Sequence, residues 1–82
     1  MKYKQGEKLE IWWIDSCHLS GWRKIEDLDF DKRDLEHQSI GYLIKETNYS
    51  IAIIQSRSID GITCDALMEI PKCAIHKIKK LK

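Results

Sequence analysis

Residues 38–56, QSIGYLIKETNYSIAIIQS, read as a β-hairpin, and that reading decides the fold class. In the first half, Ile40, Tyr42 and Ile44 recur every second residue and share one face of a strand. Thr47 and Asn48 supply a tight connection, and YSIAIIQS follows with the β-branched run of a second strand. Moving toward the C-terminus, RSIDG at 57–61 carries a further turn signature in Asp60-Gly61. TCDALMEI then alternates Cys64, Ala66, Met68 and Ile70 against Asp65, Leu67 and Glu69, which predicts one continuous strand. Pro71 cannot donate to a ladder, so the strand stops there, and its fixed φ suits a 3₁₀ turn through Lys72 to Ala74. The closing segment, IHKIKKL, spaces Ile75, Ile78 and Leu81 by three, which predicts a bulge or a frayed end.

On the other side of the hairpin, KLEIWWI at 8–14 sets Leu9, Ile11 and Trp13 against Glu10, Trp12 and Ile14, the alternation of a half-buried strand. DSCHLSG ends it, with Asp15 or Ser16 able to accept a hydrogen bond from the amide two residues on. From Trp22 to Leu35 there is no strand signal; Ile25 and Leu28 stand one helical turn apart, which predicts a turn of helix across a barrel mouth and then a charged loop. The layout is strand, long loop, strand, tight turn, strand, turn, strand, 3₁₀ turn, strand. It predicts an all-β, five-stranded SH3-like small barrel, a single domain over residues 1–82. An OB-like barrel needs a helix between its third and fourth strands, and RSIDG leaves no room for one.

A chain of 82 residues buries only about 60 to 65% of its unfolded surface, so every enclosed aromatic counts. No apolar run reaches the roughly 18 residues of a membrane span, and the basic start MKYKQGEKLE lacks the apolar region of a secretory signal. Cys17, Cys64 and Cys73 are odd in number and form no CxxC pair, which points to reduced thiols and a cytoplasmic protein. The net charge of +1 conceals an uneven distribution. Residues 26–36 sum to −4, while residues 72–82 hold five lysines and no acid, read as a solvated tail or as a basic side that attracts an anion.

Candidate chemistry gathers in residues 9–22, which contain all three tryptophans. Trp13 shares its face with the aliphatics and is read as core. Trp12, beside Glu10 in the alternation, is read as ligand-facing, and Trp22 as either. The backbone amides of Asp15 through Gly21, with Ser16 and His18 in the same turn, suit a phosphate if the loop forms a nest, and Arg23, Lys24 and Lys72 are the nearby cations. Gly41 in mid-strand marks a close backbone approach, which puts Tyr42 in a surface groove or between protomers and predicts a homo-oligomer. Cys17 beside His18 lacks the third residue of a nucleophilic triad, so no catalytic residue is assigned. Cys73-x-x-His76 lacks the second pair that structural zinc uses, and the acids at 26–31 lack the EF-hand glycine, so no metal or other cofactor is assigned.

The motifs I-W-W-I-D-S at 11–16, G-W at 21 and 22, S-I-G-Y-L at 39–43 and I-P-K at 70–72, followed by a short basic strand, resemble a pattern in small uncharacterised proteins of bacteriophages and prophages. The likeness spans residues 9–81. It implies an SH3-like barrel with a non-enzymatic accessory role in infection. One such role is the anti-defence sponge, which binds a nucleotide second messenger of host immunity and withholds it from its effector. The expected function is therefore sequestration of a small anionic nucleotide-like ligand. The alternatives are a nucleic-acid-binding barrel, with the C-terminal lysines tracking phosphates, and a protein inhibitor of a host factor that uses Trp12 as its anchor.

Overall fold

The structure, a computed structural model, describes residues 2–16, 22–28 and 35–82. Seven strands are described: β1 (Lys8–Ile14), β2 (Glu36–Glu46), β3 (Ser50–Ile54), β4 (Ser56–Arg57), β5 (Cys64–Asp65), β6 (Met68–Pro71) and β7 (Ile75–Lys80). Five of them form an antiparallel sheet in the order β6-β3-β2-β1-β7, and β4 pairs with β5 in a separate two-stranded extension. The chain is all-β among its described residues, apart from short 3₁₀ turns such as Ile25–Asp27 and Lys72–Ala74. The two edges of the sheet, β6 and β7, share no ladder.

Alternation places the core. Leu9 and Ile11 from β1, Leu43 from β2, Ile51 and Ile53 from β3 and Ile70 from β6 form one buried cluster, with Tyr3, Trp13, Ile75 and Ile78 packed against it. Leu9 lies opposite Gly41, Ile51 opposite Ile70, and Leu43 opposite Ile53, so the cluster is a set of cross-strand pairs on one face. Gly41 is the narrowest point. A Cβ there would sit 2.9 Å from the Ile54 carbonyl oxygen and 3.0 Å from the Ile53 Cβ, so the missing side chain is what lets β2 and β3 curl together.

The apolar face expected from Ile40, Tyr42 and Ile44 is the outer one: Ile40 and Tyr42 are 46% and 42% exposed, while Gly41 and Leu43 face inward. Both faces of this strand carry apolar residues, so periodicity marked the strand without telling inside from outside.

The expected strand over 63–70 is broken. Ala66 takes φ 56 and separates β5 from β6, as Gln55 separates β3 from β4. The Asp60-Gly61 turn, with Gly61 at φ 76, therefore caps an arm that projects from the sheet instead of joining two of its strands. Ser58 bonds Asp60, and the Ile62 amide donates to Asp60 Oδ1 at 3.0 Å, which fixes that turn. Those carboxylate contacts, Ser58 first, hold the Asp60 carboxyl below its usual range.

The 3₁₀ turn at Ile25–Asp27 is present, but Ile25 is exposed, so it does not close a mouth over the core. The spacing of three in the last strand has a local cause. Trp12 pairs with Lys77 and Trp13 with Ile75, so His76 is the extra residue of a bulge that brings Ile75 and Ile78 to the same side. The lysine-rich end is thus an edge strand rather than a tail.

Candidate functional site

β1, β2 and β7 present a second face, away from the core, and its composition follows from their registers. Trp12 lies between Gln38 on β2 and Lys77 on β7, Glu10 between Ile40 and Lys79, and Lys8 opposite Tyr42. The Lys77 ammonium stands 4.7 Å from the centroid of the Trp12 ring, a cation–π contact that fixes a positive charge against an aromatic surface. Gln38 donates to Glu10 beside it. Tyr42 is four residues along β2 from Gln38, hence about 13 Å from the Trp12 position at the rise of a strand. The face carries aromatic and cationic groups together.

At the end of β1, Trp13 turns inward. Its Nε1 donates to Ser39 Oγ at 3.0 Å, its ring meets His37 at 5.1 Å between centroids, and Ser39 in turn donates to Met68 Sδ at 3.6 Å. Trp13 is the core indole that its alternation predicts. Asp15 stands beside this group, with Oδ2 3.8 Å from His37 Nε2, and its amide donates to the Leu35 carbonyl at 2.8 Å. Its Oδ1 accepts from the Ser16 amide at 2.7 Å, one residue on instead of two, and Asp15 and Ser16 are both exposed. Trp22 is 105% exposed, so it lies outside the core, and Arg23 and Lys24 follow it on the surface. His18 and Cys17 lie outside the described residues.

Lys72 is elsewhere. It opens the 3₁₀ turn after β6, and its Nζ donates to Glu46 Oε2 at 2.8 Å. Glu46 pairs with Ile51 on the core side of the sheet, so Lys72 faces a different space from Trp12. The Lys72 hydrogen bond holds the Glu46 carboxyl below its usual range against the opposing effect of burial. Of the predicted residues, the structure therefore brings Trp12 and Tyr42 onto one face, leaves Asp15, Ser16, Trp22, Arg23 and Lys24 on exposed segments, and sets Lys72 apart.

The sequence reading gave Lys8 no role, and placed Lys77 and Lys79 only among the C-terminal lysines of the nucleic-acid alternative. Their signal was present, since each alternates outward in a strand that pairs with β1 or belongs to it, but only the register shows which aromatic each one meets. Among the described residues no group of three or more His, Cys, Asp and Glu is placed to hold a metal ion, and Cys64 and Cys73 are free and exposed. No helix among them is long and apolar enough to cross a membrane. Comparison with protein-family models, curated proteins and solved structures finds no match to the chain.

Proposed function

We propose that this chain is a non-enzymatic binding protein, built as a partly open SH3-like barrel, that holds an anionic nucleotide-like ligand on the outer face of β1, β2 and β7. The observation that carries this reading is the Lys77 ammonium stacked on Trp12, on the face that also bears Tyr42, Lys8 and Lys79. Aromatic faces bind bases of any sequence by stacking, at about 1 to 3 kcal/mol per base, and lysines neutralise the phosphates between them. Because about 13 Å separates the Trp12 and Tyr42 positions, a ligand touching both carries two bases, or a base with an extended phosphate. The strand order β7-β1-β2-β3-β6 and the 3₁₀ turn between β6 and β7 support the barrel assignment.

The resemblance to phage proteins supports a role in the host cytoplasm, withholding an immune second messenger from its effector. Exposed Ile59 and Ile62 on the β4–β5 arm support assembly with further copies of the chain. Isothermal titration against cyclic and linear mono- and dinucleotides tests the reading. Micromolar binding that prefers dinucleotides and weakens in Trp12→Ala is expected; absence of heat across the panel overturns it.

A second reading, single-stranded nucleic acid, is favoured by Lys77 and Lys79 lying on the same face of an edge strand. Affinity for a dT12 oligonucleotide would then fall steeply with salt, and more steeply than in a Lys77→Gln/Lys79→Gln variant.

A further inference from the structure

Glu10 is an acid set among cations, on the face proposed to hold an anion. Trp12 lies between Gln38 on β2 and Lys77 on β7, and Glu10, two residues back on β1, lies between Ile40 and Lys79. An acid opposite Lys79 is placed for an ion pair across the β1–β7 ladder, yet the carboxylate turns the other way. Its Oε2 accepts from Nε2 of Gln38, the residue that faces Trp12. That diagonal hydrogen bond draws the carboxylate toward the Trp12 row and leaves Lys79 out of the pair.

The same bond fixes what the pair offers to a ligand. A carboxylate accepts at about four lone-pair sites on its two oxygens, and it has no donor to give. Gln38 takes one of those sites, and among the described residues the carboxylate has no other partner, so both oxygens can still accept. Glu10 and Trp12 are half-buried and Gln38 is exposed, so the group is within reach from solvent. Lys77 and Lys79 stand on the far side of β1 from Gln38, two strand spacings or roughly 10 Å away. A mononucleotide lying across β1 spans that width, with its base edge toward Gln38 and Glu10 and its phosphate toward the lysines.

We infer that Glu10, positioned by Gln38, makes the Trp12 face selective for guanine. The inference rests on the sheet-face reading and names the base that this face prefers. Guanine sets N1–H and its exocyclic amine side by side, two donors that meet the two oxygens of one carboxylate. Each of the other bases puts an acceptor against the second oxygen. Adenine pairs its amine with N1, cytosine pairs its amine with N3, and uracil holds its single N3–H between two carbonyl oxygens. Stacking on Trp12 serves all four alike, so the choice among them falls to the Watson–Crick edge.

Isothermal titration of the intact chain with GMP, IMP, AMP, CMP and UMP tests this. GMP is expected to bind about 5- to 150-fold more tightly than AMP, CMP or UMP, the range of one bidentate base contact. IMP, which keeps N1–H and lacks the amine, falls between. In Glu10→Gln the GMP-to-UMP ratio collapses toward one while UMP affinity stays within about twofold. Gln38→Met removes the donor at similar side-chain length and narrows the same ratio. Equal affinity for the five nucleotides, or a ratio unchanged in both variants, overturns guanine selection. If Trp12→Ala then still weakens every nucleotide, the sheet face stands without it. No heat with any nucleotide removes both. Should Glu10→Gln fail to fold, the wild-type ranking of GMP, IMP and UMP decides the question alone.

Discussion

Lys77 and Trp12 face each other across the β1–β7 ladder, with the ammonium 4.7 Å from the ring centroid. The contact occupies an edge of the sheet, so it joins a solvent-facing charge to a half-buried aromatic without consuming core volume. Replacing Trp12 by Ala is expected to weaken nucleotide binding by about 5- to 150-fold, the equivalent of about 1 to 3 kcal/mol for one stacked base. Lys77→Gln is expected to lose less, and to lose it mainly at low salt. Titrations at two ionic strengths on both variants, with circular dichroism as the folding control, check this.

Gly41→Ala is expected to destabilise the protein by about 1 to 3 kcal/mol, because the new methyl meets a backbone oxygen at 2.9 Å and the Ile53 Cβ at 3.0 Å, neither of which is the free end of a side chain. The measurement is the urea midpoint, and a midpoint equal to that of the parent would contradict the close approach.

Core truncation and arm truncation are expected to differ sharply. Ile11 is fully enclosed, and Ile11→Ala should cost about 2 to 5 kcal/mol, which is much of the stability of a domain this small. Ile59 is 108% exposed, and Ile59→Ala should change the folding midpoint of the dilute protein by less than about 0.5 kcal/mol.

The double substitution Ile59→Lys/Ile62→Lys addresses the arm's proposed role. It should leave folding intact and shift the species seen in native mass spectrometry toward the monomer. An unchanged mass distribution, or a wild-type chain that is already monomeric, would remove the arm from any assembly.

Stability is expected to fall on acidification, and the sign follows from three depressed carboxyls. Lys72 lowers Glu46, the Lys4 amide and then Lys80 lower Glu7, and Ser58 lowers Asp60, from ordinary values of 4.5, 4.5 and 3.8. Above those values the groups are ionised in both folded and unfolded chains, and their contribution is fully present. Below them the unfolded chain takes up protons first, so stability drops as pH falls toward the lower folded values. Urea midpoints should be flat from about pH 7 to 5.5 and decline below about 4.5. Lys72→Met should make that decline shallower, whereas a midpoint that rises on acidification would reverse the assignment.

How far the residues themselves spoke can be judged at particular positions. Strand alternation at 8–14, the hairpin over 38–56, the Pro71 stop and the bulge implied by Ile75, Ile78 and Leu81 were all legible, because each depends on local backbone geometry and a period of two. Trp13 could be placed inside for the same reason. The break at Ala66 was not legible, since nothing in its side chain demands φ 56; the arm's turn and the pull of β6 onto β3 impose it. Nor could alternation show that Ile40 and Tyr42 face outward, because both sides of β2 are apolar and only the approach of Ile53 to Gly41 chooses between them.

Sequence by itself, then, determined that short alternating segments would build an all-β chain and where most of those segments lie, since alternation and turn chemistry act over a few neighbouring residues. Only the tertiary structure decided that Lys77 covers Trp12, that Lys72 pairs with Glu46 and not with the tryptophan face, and that Gln38 holds the Glu10 carboxylate. Each of these is a relation between residues far apart in the chain, set by strand register and by which face of the sheet is enclosed.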